Sequence, residues 1–255
     1  MRRREAQFVA GNTDLGVMTN LRGRRFPHLV SLDGVAELRE FRETAEMVEI
    51  GAGLTLTEVG ERWTNAPDVF REWLRLFASP LIRNRATLGG NLATASPIGD
   101  AAPMLLALDA DLRIAGVKGA RIVPLHSFFR RYRQTALERG DLIRSVLIPK
   151  PLPTHVRFYK VAKRRVDDIS TVAVGIAIRT DESGSTQSAR IALGGVAPIP
   201  LRAFEAEEAV ARDDPERAKA ILGRTLEPIS DHRGSAAYRL AMAQSLLDKF
   251  LGAVS

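Results

Sequence analysis

The stretch TLGGNLATASPIGD, residues 87–100, constrains the fold of this chain more than any other. Two adjacent glycines and an asparagine interrupt an apolar run, small side chains follow, and an aspartate closes the segment just before a helix-like pattern. A backbone this bare cannot build a core by itself. It suits a place where another surface comes close, because glycine has no Cβ to hold a neighbour off and tolerates positive φ. A second such segment, AGNTDLG at 10–16, lies far earlier in the chain.

A glycine-rich loop beside a strand can aim several backbone N–H groups at one anion. Either loop taken alone reads equally well as a turn. A diphosphate carries enough charge and oxygen atoms to engage both, and Thr13 and Thr87 add hydroxyls, so the pair points to a nucleotide or dinucleotide. The usual fingerprints are missing. No G-x-G-x-x-G occurs, GAG at 51–53 lacks a third glycine and an acidic follower, and no Gly-Lys-Ser/Thr is present. The ligand must therefore be held by a different fold.

Composition narrows the chemistry. The 255 residues include no cysteine, which excludes disulfides, thiol catalysis and thiolate-held zinc or iron–sulfur centres within this sequence. His28, His126, His155 and His232 are scattered, so no local metal site is expected. With 45% hydrophobic and 26% charged residues the chain is ordinary globular material, long enough for two domains or one with subdomains. No apolar run reaches the length of a membrane span, and MRRREAQFVAG has no signal-peptide apolar region, so a cytoplasmic protein without membrane contact is expected. The net charge of +7 would suit a polyanion, yet many basic residues alternate with acids, as in ELREFRETAEMVE. Basic clusters at 2–4, 22–25 and 163–165 come without any nucleic-acid-binding motif, so no nucleic-acid partner is expected.

Periodicity gives the elements. AQFVAG, HLVSL at 28–32 and MVEIGAGLTL at 47–56 have the short β-branched character of strands. A helix starts near TLTEVGERW, with Thr55 or Thr57 as cap and Glu58 in its first turn. DVFREWLRLFA follows with helical spacing at Val69, Phe70, Trp73, Leu74 and Phe77. DAAPMLLALDADLRIAG reads as a helix then a strand, GARIVPLHSFF as a strand, and DLIRSVLIPKP as a strand ending at prolines, where a subdomain boundary is expected. HVRFYKVAKR, ISTVAVGIAIR and SARIALGGVA alternate like a three-stranded antiparallel sheet. Two helical segments follow. In the clearer one Ser235 caps, Gly252 stops, and Tyr238, Met242, Leu246 and Phe250 share a face.

In this order and spacing, FVAGNTDLG, FASPLIRNRATLGGNLATASPIGDAAP, DLIRSVLIP, KVAKRRVDDIS and ALGGVAPIPLRA resemble the FAD-binding domain of the xanthine dehydrogenase family, the flavin module of molybdenum hydroxylases. The resemblance covers nearly the whole chain. The SPIGD ending looks more like bacterial xanthine dehydrogenase than the carbon monoxide dehydrogenase flavoproteins, which tend to read ADPAAD there. It implies an α+β, PCMH-type FAD-binding fold of two subdomains over residues 1–150. A C-terminal flavoprotein subdomain with a three-stranded antiparallel sheet and helices would occupy 151–255. Family members normally carry a strand and helix ahead of the first glycine loop, so that layer is expected to be truncated here or supplied by another chain.

The resemblance also implies the site. Phe8, Val9, Ala10, Gly11, Asn12, Thr13, Asp14 and Leu15 would wrap one side of the FAD diphosphate, and Thr87, Leu88, Gly89, Gly90 and Asn91 the other. Phe77 would lie against the isoalloxazine ring, and Asp100, Ile143 and Lys160 would touch the flavin. Read without the resemblance, Phe77 fits a helix core, Asp100 a helix N-cap and Lys160 a surface lysine. The KRRVDD segment matches a mobile loop that tunes flavin electrostatics and the approach of NAD. The implied function is an electron relay in purine or similar heterocycle oxidation: electrons released at a molybdenum centre elsewhere pass through iron–sulfur clusters to FAD and on to NAD. Iron–sulfur and molybdopterin subunits or domains are the implied partners, and no side chain here acts as catalytic acid or base or as a metal ligand. The alternatives are another PCMH-type flavin reductase, for which no convincing proton donor is visible, and a flavin-free scaffolding subunit that kept the fold.

Overall fold

The structure is a computed structural model that describes residues 6–254. The basic run at Arg2, Arg3 and Arg4 lies outside the described residues. Strand β1 (Gln7–Val9) leads into helix α1 (Thr13–Arg22), which returns the chain to β2 (Leu29–Ser31). The two strands pair in parallel, Phe8 opposite Val30, as a helical crossover requires. Gly23, at φ 61°, ends α1 in the left-handed conformation. No residue of α1 is buried and β2 is exposed along its length.

The chain continues through β3 (Phe41–Glu43) and β4 (Met47–Gly51) to helices α2 (Leu56–Arg62), α3 (Asp68–Leu76), α4 (Pro80–Arg83), α5 (Leu88–Ala93) and α6 (Ala101–Ala107). It then forms β5 (Asp111–Gly116), β6 (Gly119–Pro124), the small hairpin of β7 (Phe129–Arg131) and β8 (Gln134–Thr135), and β9 (Leu142–Pro149). Strands β3-β4-β9-β5-β6, in that order, make an antiparallel sheet with β9 at its centre. Thr55 caps α2 through a full capping box with Glu58, settling which of the two threonines starts that helix. The helical stripe of α3 joins Trp63 in an aromatic run, Trp63–Phe70 at 4.7 Å, then Phe70–Trp73 and Trp73–Phe77 at 5.3 Å each.

The last third holds β10 (His155–Val161), β11 (Val172–Thr180), β12 (Thr186–Gly194), β13 (Leu201–Arg202), α7 (Phe204–Ala211), α8 (Pro215–Thr225) and α9 (Ala236–Leu251). The antiparallel sheet here has four strands rather than the expected three. The additional β13 contributes only two residues, opposite Leu193 and Ala192, too few to leave an alternation in the sequence. Three helices follow rather than two, because Asp214 caps a separate α8 that begins at Pro215.

This sheet separates two cores. Val172, Val174, Ile176 and Ile178 pack with α7, α8 and α9, while Ala173 and Ala177 on the alternate positions join the core of the first sheet and α6. Small residues there admit α6 closely. A Cβ at Gly175 would lie 2.3 Å from the carbonyl oxygen of Pro103. Helix α9 departs from expectation. Ser235 caps it and Gly252 follows it as expected, but its buried face is Arg239, Ala243, Leu247 and Phe250, one position round from the Tyr238–Met242–Leu246 stripe. A hydrophobic count misses that face because an arginine heads it.

Candidate functional site

A cavity of about 1260 Å³ opens between the first glycine loop, the second, and the edge of the four-stranded sheet. Gly11 follows β1 and presses on the other loop: a Cβ there would lie 1.8 Å from the carbonyl oxygen of Arg85. Gly89 is equally confined, against Ala52, with 2.6 Å to its methyl group. These two positions are therefore bare to let protein segments meet, which the sequence does not distinguish from room for a ligand. Thr94 Oγ1 donates to Asp14 Oδ2 at 2.8 Å and ties α5 to the first turn of α1.

The polar groups of the loops then face one space. Asn12 takes the left-handed conformation, φ 62°, and opens α1, whose first amide to bond back is that of Gly16 to Asn12 O. The amides of Thr13, Asp14 and Leu15 are the orphan donors of the helix start, at residues that line the cavity. TLGGN is the first turn of α5 rather than an open loop, with Thr87 Oγ1 accepting from the Gly90 amide at 3.0 Å. Asn91 Oδ1 is buried with no partner among the described residues and belongs to a residue that lines the cavity.

At the other end Phe77 ends α3, is 8% exposed, and both packs on Trp73 and lines the cavity. Asp100 does not cap α6, although it stands at that position. Its carboxylate is already engaged: Lys160 Nζ donates to Oδ2 at 2.7 Å and Ser170 Oγ to Oδ1 at 2.5 Å. The Asp100 carbonyl accepts from Trp73 Nε1 at 2.9 Å. Lys160 is not a surface lysine. Its side chain is 6% exposed and also donates to Leu76 O at 3.1 Å. Ile143, from β9, completes this wall.

Of the residues singled out in the sequence, all but Val9 and Leu88 line this cavity. Val9 is spent on pairing with Ser31, and Leu88 is fully buried in the core. In the 163–168 segment the backbone amides of Arg164 and Ile169 hold the Asp168 carboxyl below its ordinary value, while Arg164 and Arg165 are exposed. Sequence reasoning missed Ser170, Asp231 and Arg239, which also line the cavity. Ser170 stands within the KVAKRRVDDIS run, where nothing in the sequence marks its hydroxyl. Burial pushes the Asp231 carboxyl up, yet the Arg233 amide and the Arg239 guanidinium outweigh this and hold it below the usual range.

Free amides at the start of α1, an unpartnered buried amide oxygen that can accept from a hydroxyl, and a fixed cation at the far end suit a long molecule that is anionic, hydroxylated and partly aromatic, such as FAD. Residues 1–151 match the family described as FAD binding domain in molybdopterin dehydrogenase. The chain belongs to that family of FAD-binding domains. Residues 157–254 match the CO dehydrogenase flavoprotein C-terminal domain. Xanthine dehydrogenase 2 of Arabidopsis thaliana is 36% identical over 220 residues, 80% of this chain and 16% of that protein. The carbon monoxide dehydrogenase medium chain of Afipia carboxidovorans is 34% identical over 250 residues, 95% of this chain and 86% of that one. Quinoline 2-oxidoreductase from Pseudomonas putida 86 superposes with a TM-score of 0.88 at 28% identity, covering 99% of this chain and 90% of that one. This flavin domain thus spans less than a fifth of the plant enzyme it resembles. It is the FAD component of an oxidoreductase family. Among the described residues no group of His, Asp or Glu is placed to hold a metal ion, and no helix is long and apolar enough to cross a membrane.

Proposed function

We propose that this flavin domain is the electron-transfer component of a xanthine dehydrogenase-like molybdenum hydroxylase, with iron–sulfur and molybdopterin subunits or domains as partners and NAD as the electron acceptor. Bound FAD supplies the exchange between one-electron carriers and a two-electron acceptor. The chain's own residues bind and orient it. The amides at the start of α1 receive the diphosphate. The Thr87–Asn91 turn, whose Gly89, Gly90 and Asn91 amides are donated within the protein, walls its other side, and Phe77 and Ile143 keep water from the ring. Lys160 sets a fixed positive charge at the ring edge, held in place by Asp100. No side chain has to carry a proton for the substrate, and the paired Asp100 and Lys160 of the cavity are engaged with each other.

The observation that carries this reading is the meeting of both glycine turns and the Lys160–Asp100 pair in one cavity. The test is anaerobic titration of the FAD-reconstituted chain with NADH, followed by flavin absorbance. Bleaching by NADH is the expected result. Bleaching by dithionite but not by NADH would remove NAD as acceptor and leave the FAD site standing.

A further inference from the structure

Arg239 is out of place for a core residue. It is 1% exposed on the buried face of α9, and its Nε–H meets no acceptor among the described residues. A leucine would serve that face better, since an incompletely matched buried charge is costly. What the guanidinium does is join separate segments. Nη1 donates to the carbonyls of Thr171 and, at 3.1 Å, Gly195, while Nη2 reaches Asp231 at 2.7 Å.

One pinned carbonyl belongs to Gly195, which lines the cavity, and the other to Thr171, the neighbour of the lining residue Ser170. Gly195, at φ 84°, sits so near Thr171 that a Cβ would lie 2.3 Å from its carbonyl oxygen. The Gly195 amide donates to Pro97 O at 2.7 Å, three residues before Asp100. Thr171 follows Ser170, whose hydroxyl holds one oxygen of Asp100 while Lys160 takes the other. The chain of contacts runs from α9 to the lysine without a gap.

We infer that Arg239 is a positioning residue for the flavin: acting through Thr171, Ser170 and Asp100, it fixes the Lys160 ammonium against the ring end of the cavity. The inference rests on the FAD site proposed above. A fixed cation beside the ring favours electron uptake, so loosening it lowers the midpoint potential.

The test is a spectroelectrochemical titration of the FAD-reconstituted full chain. Arg239→Met should lower the flavin midpoint potential in the same direction as Lys160→Met. The double variant should fall no lower than Lys160→Met alone, as expected when two changes act through one contact. A purely structural role would lower the melting temperature and leave the potential of bound flavin unchanged, and that result overturns the inference. Should Arg239→Met not fold, Ser170→Ala cuts the same chain one bond nearer the cavity, and a wild-type potential in that variant overturns it equally. If the wild-type chain takes up no FAD, the site itself fails and the inference with it. An altered or unaltered potential with FAD bound bears on Arg239 alone.

Discussion

A methyl group at Gly11 would have to overlap the Arg85 carbonyl, whereas one at Gly90 would meet only the Thr87 hydroxyl at 2.9 Å. Gly11→Ala should therefore cost at least the ~1–3 kcal/mol typical of overpacking, and separate the two turns that form the cavity. At Gly90 the gain in helix propensity, about 1 kcal/mol, offsets a weakened cap of similar size, so Gly90→Ala should melt close to wild type. Melting curves of the two variants check the contrast, and equal melting temperatures would contradict the packing account of Gly11. Phe77 belongs to the core and to the cavity together. Phe77→Ala should lower stability by roughly 3–5 kcal/mol and also brighten the emission of bound flavin. A stability loss with unchanged emission would place the flavin ring elsewhere. At this scale the sequence exposes which residues are unusual but not which neighbour makes them so. Lys160 and Asp100 are far apart in the chain, and their pairing is visible only when β10 is laid beside α6.

Single carboxylates stitch the elements together. Glu49 of β4 accepts from Arg113 of β5 at 3.0 Å and from Ser145 of β9 at 2.6 Å, across three neighbouring strands. Burial pushes this carboxyl up, but the Ser145 hydroxyl and the Arg113 guanidinium outweigh burial and leave it below its ordinary value. A group with a depressed folded-state pKa stabilises above its unfolded value and loses that contribution as pH falls through the folded one. Urea midpoints should therefore decline as pH drops below the normal glutamate range, and Glu49→Gln should flatten that decline. An unchanged acid limb in the variant would show that the bridge contributes nothing. Glu207 of α7 is the stronger case. It is 6% exposed, holds Arg202 through two bonds of 2.9 and 2.6 Å, and accepts the Ile191 amide at 2.9 Å. Glu207→Ala should cost about 1–3 kcal/mol, read by chemical denaturation, because it strands the buried Ile191 amide and leaves Arg202 with Asp109 as its remaining partner. The longer elements were legible from their periodicity, β9 and β11 above all. The two-residue β13 was not, and the face of α9 was misread by one position because its buried residue is charged.

Across the whole molecule, protection from solvent is uneven. Helix α1 buries none of its residues and its two partner strands are three residues each, so their amides should exchange fastest among the regular elements, and those of β11 slowest. Hydrogen exchange followed by mass spectrometry measures this, and added FAD should slow exchange at Thr13, Asp14 and Leu15. Slow exchange throughout α1 in the free chain would contradict the exposed layer. The wedge of α6 against Gly175 has a different consequence. Helix α6 and the strand it presses on lie on opposite sides of the exposed Arg164 and Arg165, so a trypsin cut there severs the chain but not the core that both pieces share. The nicked protein should elute as one particle and come apart only in denaturant. Two separately expressed fragments meeting at that point should reassemble when mixed, which makes the connection between the halves dispensable in a way their contact is not.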